Sequence, residues 1–386
     1  MSRIHFVGSI SPFEEVSNSS VSIAGNRCQI GILDGLKKDN EIVQVLSYRA
    51  NRVFPYTNKI YIPRLHVIYK GMNFIFLPYL NLPFFRATLV NLGVIFFLFK
   101  KVKKHDSLLF YNMYLPFPIS VFILRKLFDI KIYILACDIH IPGQTVPNTL
   151  RWRYEYLKHK IFLQKVDGVI AVSEKILLDF KCTKKTMVME GGIPNDLLLL
   201  DKLTLNNREI FKIFYAGALD KLNGVDLLID AFSKNSNPNI RLIIAGKGEL
   251  REFVEESAKK DNRIKFLGLI SHDEIKKLYE EISLLLCIRV TKEINTGYFF
   301  PSKLVEYIST GIPVLCTDIK SSNFNLNDFC FVIKDETVDA IGIAINECIF
   351  NYEEIIVKAK RGKSHIRQEM IWDVQGKKIS ALINKC

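Results

Sequence analysis

The chain holds no CxxC pair, no cluster of Cys with His, and no closely spaced cysteine frame; its eight cysteines are scattered at 28, 137, 182, 287, 316, 330, 348 and 386. That pattern argues against a structural zinc site and against a disulfide-stapled secreted fold, and it points to a reducing compartment. The N-terminus lacks the basic, apolar, small-residue order of a signal peptide and runs straight into an apolar strand at Ile4–Val7. A cytoplasmic protein is therefore expected. The apolar stretch Leu89–Phe99, interrupted by Asn91 and Gly93, falls far short of the roughly 20 residues that cross a bilayer. No short tandem repeat is visible. Acidic residues are scarce in one half: residues 1–200 hold 26 Lys and Arg against 14 Asp and Glu, whereas the remainder holds 27 against 26. Such asymmetry directs the first half at an anionic partner: nucleic acid, an acidic membrane surface or a phosphate-bearing substrate. The basic residues are dispersed and form no recognisable RNA or DNA motif, so nucleic acid is not expected as a partner.

What is present is a globular composition, 49% hydrophobic and 24% charged over 386 residues, enough for two cores. The first half alternates apolar strands with helical patterns. Strands are predicted at Ile4–Val7, Glu41–Leu46, Ser107–Tyr111, Lys131–Ala136, Gly168–Val172 and Thr186–Met189. Helices are predicted at Ile30–Leu36, Phe84–Lys104, Ile119–Phe128, Leu150–Lys165 and Glu174–Phe180. The second half repeats the alternation from Phe211 to Ile288. Strand, helix, strand implies parallel sheets covered on both faces, an α/β fold of two doubly wound domains. Gly191–Asp196 and Thr204–Arg208 bracket the boundary. It yields domains 1–203 and 204–365, with a C-terminal helix, 366–386, expected to pack back on the first. Ligands of such sheets bind at the carboxyl ends of the strands, in the crevice between domains.

The stretch Tyr298–Val314, YFFPSKLVEYISTGIPV, carries the densest local information. Pro301 suits the first turn of a helix, Ser302 can cap it, and Gly311 can end it. Leu304, Val305 and Ile308 then share one side, and Ser302, Glu306 and Thr310 another. Glu306 sits about a turn into a helix whose positive end faces a loop. Such an end can hold a phosphate at its tip and a ribose on the carboxylate. An ordinary α/β crossover with a solvated Glu would read the same way. Gly217, Gly246, Gly248 and Gly268 fall just after predicted strand ends on the same edge; singly, each is a turn glycine.

The segments YAGALDKLNGVDLLIDAF (215–232), LIIAGKGEL (242–250), IKFLGLISHDEIKKLY (264–279) and FPSKLVEYISTGIPVL (300–315) resemble, in this order, the retaining glycosyltransferases of the GT4-type group. The likeness is nearly continuous from about residue 211 to 320, and the PSKLVEY form resembles one branch of that group. The first half matches in outline only, at Ala24-Gly25-Asn26, VIAVSEKI (169–176) and EGGIPNDLL (190–198). The resemblance implies the GT-B fold, two Rossmann-like domains facing a cleft. The second would hold a nucleotide-diphosphate sugar as substrate, with no cofactor. The first would hold a lipid-linked or growing glycan acceptor in cell-surface polysaccharide synthesis.

Residue by residue, Glu306 matches the second glutamate of the family's paired motif, which binds the ribose hydroxyls. Tyr298 stands at the position of the first. The family's basic pair falls on Ala218 and Asn223, so the usual diphosphate lysine is missing. Lys303 is the first candidate to replace it, then Arg289 and Lys221. The loop Phe300–Ser302, with Pro301 in it, would offer backbone N–H groups to the diphosphate beside the turn at Gly217, and Lys247, Gly248 and Gly268–Ile270, with Leu269 among them, would serve the nucleobase. In the first half Asp138 and His140, in LACDIHIPG, would face the cleft; with Tyr298 they form the catalytic set. Ser9, Gly25 and Asn26 are loop candidates after the first strand. No DxD lies between apolar strands, so hexosyl transfer without a metal is expected.

Two further readings stand beside this one. A non-catalytic relative that docks on a membrane or a partner enzyme would explain Tyr298 and Asn223. A sugar-nucleotide epimerase could use the same fold, but its glutamate and histidine pattern is not evident. The run Leu89–Phe99 followed by KKVKK (100–104) reads either as a core helix with a solvated cationic end or as an interfacial helix on anionic headgroups. The basic first half favours peripheral attachment to the inner face of a membrane.

Overall fold

The computed structural model describes residues 2–11, 23–49, 51–83, 85–113, 119–189, 191–194, 209–292, 296–298, 301–319, 324–333 and 335–384. The chain divides into two compact units. Unit 1 comprises Met1–Gly192, Tyr298–Phe300 and Ile371–Cys386, and unit 2 comprises Ile193–Gly297 and Pro301–Met370. The expected boundary region, residues 195–208, lies outside the described residues.

Unit 1 runs β1 Ser2–Val7, α1 Ile23–Leu36, β2 Asn40–Ser47, β3 Tyr61–Ile62, β4 Leu65–Tyr69, β5 Met72–Phe76, β6 Tyr79–Leu80, α2 Phe85–Lys101, β7 Ser107–Tyr111, α3 Ile119–Phe128, β8 Lys131–Ala136, α4 Leu150–Lys165, β9 Gly168–Ala171, α5 Glu174–Asp179 and β10 Lys185–Val188. Eight strands form one sheet in the order β10-β9-β8-β7-β1-β2-β5-β4. All neighbours are parallel except the β4–β5 pair. Central strands such as Leu108–Phe110 and Ile132–Leu135 are buried, as a parallel sheet covered on both faces requires. The small antiparallel excursion from β3 to β6 was not visible in the sequence pattern.

Unit 2 runs β11 Phe211–Ala218, α6 Val225–Ser233, β12 Ile240–Lys247, α7 Arg251–Lys260, β13 Ile264–Phe266, α8 His272–Tyr279, β14 Leu284–Cys287, α9 Ser302–Thr310, β15 Val314–Thr317, β16 Phe331–Ile333, α10 Val338–Phe350 and α11 Tyr352–Glu369. Its six strands are all parallel, in the order β13-β12-β11-β14-β15-β16. A separate apolar core includes Ile213, Tyr215, Leu228, Phe232, Leu242 and Leu286. Both units are thus Rossmann-like α/β layers.

The last helix, α12 Trp372–Asn384, belongs to unit 1 and packs along α1. Trp372 lies against Gly31, Gly35 and Gly192, where any Cβ would collide with it. Tyr133 Oη donates to the Ile383 carbonyl at 3.0 Å, and Asn40 Nδ2 to Ser380 Oγ at 2.9 Å.

Candidate functional site

In unit 2 the polar residues of interest gather at the carboxyl ends of β11, β12 and β14. Gly217 and Gly246 do not follow strand ends as expected; β11 and β12 continue through them, and the two glycines face each other in register. Gly246 adopts φ 148°, and a Cβ there would collide with the Gly217 carbonyl, so only glycine fits. Its N–H donates to the Gly268 carbonyl at 2.8 Å, which fastens the following loops to the sheet edge.

The helix α9 starts on this edge. Pro301, not Ser302, occupies the cap position, and no side chain closes the turn. Ser302 is the exposed first helical residue. Uncapped N–H groups at a helix start carry partial positive charge and seek an acceptor. Gly311 ends the helix in the left-handed conformation at φ 78°. Thr310, expected on the polar side, is buried and donates through Oγ1 to the Tyr307 carbonyl at 2.7 Å.

Lys303 lies in the first turn of α9. Its Nζ stands 3.8 Å from the centre of the Tyr215 ring and 5.4 Å from that of Tyr307. A Cβ on Gly217 would approach that Nζ to 2.7 Å, so the missing side chain is what gives the ammonium its place. Burial among these groups, with the Arg289 charge adding to it and Cys287, Glu306 and Asp220 opposing it, lowers the Lys303 pKa to about 8. Arg289 follows β14 and fixes its backbone by donating N–H to Thr317 Oγ1 at 2.9 Å, while its Nε is buried without a partner. Among the described residues neither the Lys303 ammonium nor the Arg289 guanidinium has a hydrogen-bond or ion-pair partner. Two cations beside an uncapped helix start form a seat for a polyanion.

Glu306 is half-buried one turn further along α9. Its Oε1 lies 3.8 Å from Nδ1 of His272, the first residue of α8, which sequence reasoning did not single out. The start of α8 is set by a capping box: Ser271 Oγ accepts from the Glu274 N–H and the Glu274 carboxylate accepts from the Ser271 N–H. Asn223 is engaged: its N–H and Nδ2 both donate to Asp220 Oδ1, at 2.8 and 2.7 Å. Lys221, Lys247, Gly248 and Leu269 are exposed.

The first-half candidates lie in unit 1. Asp138 is exposed after β8 and accepts from Asn112 Nδ2 at 3.3 Å. Asn112 Oδ1 also accepts from the N–H of Cys137 and of Asp138, at 2.8 and 3.1 Å, so one asparagine at φ 50° shapes this loop. No sequence pattern pointed to it. His140 packs edge-on against Trp152, ring centres 4.8 Å apart, and its Nδ1 is buried without a partner among the described residues. Gly25 and Asn26 are not in a loop but in the first turn of α1, which begins seven residues before the predicted start. Asn26 Oδ1 accepts from the Ser11 N–H and Gln29 Oε1 from the Ser9 N–H, both at 2.9 Å, so α1 holds the loop that follows β1.

Tyr298 also belongs to unit 1. It is 3% exposed and its hydroxyl donates to Asp179. Lys175 completes the group, with Nζ 3.1 Å from Asp179 Oδ2 and 5.2 Å from the Tyr298 ring centre. The Tyr298 hydroxyl is thus already engaged within unit 1. Phe299 and Phe300 lie outside the described residues. Among the described residues no group of three or more His, Cys, Asp or Glu side chains is arranged to hold a metal ion.

Residues 201–361 match the model of the glycosyl transferases group 1 family. An uncharacterized glycosyltransferase of Methanocaldococcus jannaschii is 27% identical over 111 residues, which is 28% of this chain and 27% of that one. The GtfA subunit of the UDP-N-acetylglucosamine–peptide N-acetylglucosaminyltransferase of Streptococcus parasanguinis is 25% identical over 199 residues, 49% of this chain and 38% of that one. The matches thus span well under half of either relative. Among solved structures, Anabaena HepE in complex with UDP and glucose aligns over 100% of both chains at TM-score 0.67 and 15% identity. Sucrose-phosphate synthase from Thermosynechococcus elongatus aligns over 99% of this chain and 98% of that one at TM-score 0.67 and 14% identity. The fold is that of the GT-B glycosyltransferases.

Proposed function

We propose that this chain, whose residues 201–361 form a group 1 glycosyl transferase domain, moves a hexosyl group from a nucleotide-diphosphate sugar to a lipid-linked or growing glycan acceptor in cell-surface polysaccharide synthesis. The observation that carries the proposal is the unpaired Lys303 ammonium, seated beside Gly217 at the uncapped start of α9 with Glu306 one turn away. Lys303 and Arg289 take the diphosphate, the N–H groups at Ser302 and Lys303 add hydrogen bonds, and Glu306 accepts from the ribose hydroxyls. The base lies along Lys247, Gly248 and Leu269. Uridine is the first base to test, because the Streptococcus relative is named for a UDP-sugar and HepE was solved with UDP.

In the reaction the bond between the anomeric carbon and the diphosphate oxygen breaks, and both electrons leave with the diphosphate. The acceptor hydroxyl forms the new bond on the same face, so configuration is retained, and its proton passes to the departing phosphate oxygen. The two cations and the helix start stabilise the charge that grows on the leaving group, without a metal. His140 and Asp138 are the unit 1 residues assigned to contact the sugar or to take part in the acceptor's proton transfer. The protein works in the cytoplasm, peripheral to the inner face of an anionic membrane.

The engaged hydroxyl of Tyr298 favours a second reading, a donor-binding subunit without turnover. A thermal-shift screen of sugar nucleotides, followed by transfer assays on lipid-linked acceptors, separates the two. Transfer that is lost in Glu306→Ala and Lys303→Ala supports the enzyme. Donor binding with no hydrolysis or transfer on any acceptor supports the subunit.

A further inference from the structure

One face of unit 1, formed by α2 and α3, carries an apolar patch that the proposed reaction does not use. Helix α2 buries Val90, Val94 and Leu98 against its own sheet, as a core helix should. Its opposite side is apolar as well: Phe85, Leu92, Phe96 and Phe99 are 62%, 58%, 53% and 58% exposed. Their spacing of seven, four and three places them in one stripe. Neighbouring α3 repeats the arrangement, burying Val121 and Leu124 while Ile123 and Leu127 stand 56% and 63% exposed. The two stripes join where Phe99 packs edge-on against Phe128, ring centres 5.5 Å apart. A soluble surface rarely leaves such a row of large apolar groups in water without a partner.

The charge around the patch is predominantly positive; the exposed Asp129 just after α3 is engaged by His105 at 3.3 Å. Between residues 85 and 128 the sequence holds seven Lys and Arg and a single acid, Asp106. That acid is buried and bound to His5 Nε2 at 2.8 Å and Arg3 at 3.2 Å, so it does not offset the surface charge. Lys100, Lys101, Lys103 and Lys104 are exposed at the end of α2, and Lys126 on α3. The Lys100 ammonium rests 4.1 Å from the centre of the Phe96 ring, with the cation at the edge of the apolar stripe. Aromatics that enter an acyl boundary, rimmed by lysines at headgroup level, are the features of an interfacial surface.

We propose that the α2–α3 face of unit 1 docks on an anionic lipid bilayer, through Phe85, Leu92, Phe96, Phe99, Ile123 and Leu127 inserted among the headgroups. The proposal rests on the peripheral-membrane reading for its partner and supplies the surface that performs it. Among the described residues no helix is long and apolar enough to cross a membrane, so attachment by this face is by insertion to headgroup depth.

The test is flotation of the full chain with vesicles of phosphatidylcholine alone or mixed with phosphatidylglycerol. The wild type is expected to float with the mixed vesicles, less so as salt is raised, and to stay behind with the neutral ones. Phe96→Ser with Leu127→Ser, and separately Lys100→Glu with Lys101→Glu, should each lower the bound fraction by about tenfold or more. Both pairs are surface changes, and a UDP thermal shift equal to that of the wild type confirms intact fold and donor site. Undiminished binding by the variants overturns the assignment of the surface and leaves the peripheral reading standing. No binding by the wild type overturns both. A dimer in solution that Phe96→Ser dissolves makes the patch a self-interface and also overturns the proposal.

Discussion

Lys303 gives the donor-site reading a test that needs no acceptor. Its pKa of about 8, against an ordinary 10.5, means that the free protein loses this proton in a range where other lysines keep theirs. A diphosphate needs the ammonium, so binding must restore the proton. UDP is fully ionised above about pH 7.5, since the second pKa of a phosphate monoester is about 6, and its own titration does not interfere. If the bound lysine stays charged, proton uptake per UDP is about 0.1 at pH 7, 0.5 at pH 8 and 0.9 at pH 9. The apparent Kd then rises about tenfold between pH 7 and pH 9. Calorimetry in two buffers of different ionisation enthalpy reads the uptake directly. Lys303→Met should abolish the uptake and most of the affinity. It should also raise the stability of the free protein at pH 7 by up to about 3 kcal/mol, because a depressed lysine is penalised below its folded pKa and the penalty lifts only between pH 8 and 10.5. Uptake near zero at pH 8.5, or a Lys303→Met variant that binds UDP with unchanged pH dependence, refutes the assignment of this residue to the diphosphate.

Three more expectations follow from the same geometry. Gly217→Ala sets a methyl 2.7 Å from Lys303 Nζ and should weaken UDP binding by about tenfold while shifting the melting temperature little, as seen by paired titration and thermal melts. Glu306→Ala should cost UDP about 2 kcal/mol of binding and 2′-deoxy-UDP, which keeps only the 3′-hydroxyl, about half as much; equal losses for both nucleotides would remove the 2′-hydroxyl from this carboxylate. His159, buried in α4, accepts from the Met113 N–H at 3.4 Å and meets the Glu155 carbonyl through Nδ1 at 2.8 Å, and burial lowers its pKa to about 4. Because the unfolded chain protonates first, this site's stability is intact above pH 6.5 and about 3 kcal/mol is lost by pH 4. Urea titrations should show that component missing in His159→Gln.

The parts of this fold that were legible in sequence are those whose residues decide locally. β7, β8, α3 and α4 have the predicted bounds, since each is a clean apolar run or a helical period closed by turn residues. The start of α1 was misplaced because Gly25 and Asn26 favour turns; in the fold they sit in a helix, where Asn26 gains a buried bond to the Ser11 backbone. β11 and β12 pass through glycines that read as stops, because two backbones approach there and only glycine permits it. The PSKLVEY segment announced a phosphate-ready helix and Glu306. It did not announce that Lys303 would be enclosed by Tyr215, Tyr307 and Gly217, nor that His272 would stand beside Glu306, because β11 and α8, which supply three of these neighbours, are distant in sequence. Tyr298 was noticed as an unexpected residue, but its partner Asp179 lies 119 positions away.

The placement of α12 bears on the order in which this protein matures. Trp372 fills the hollow formed by Gly31, Gly35 and Gly192, so unit 1 is completed by a helix that is synthesised only after all of unit 2. At about 5–20 residues per second, the gap between Gly192 and Trp372 is roughly 10–40 s of translation. During that interval α1 presents a glycine-floored groove with nothing in it. Unit 2, whose strands are contiguous in sequence, can close meanwhile. A chaperone that shelters α1 would therefore be needed early and released late, and a nascent chain stalled before residue 372 should stay protease-sensitive in its N-terminal part.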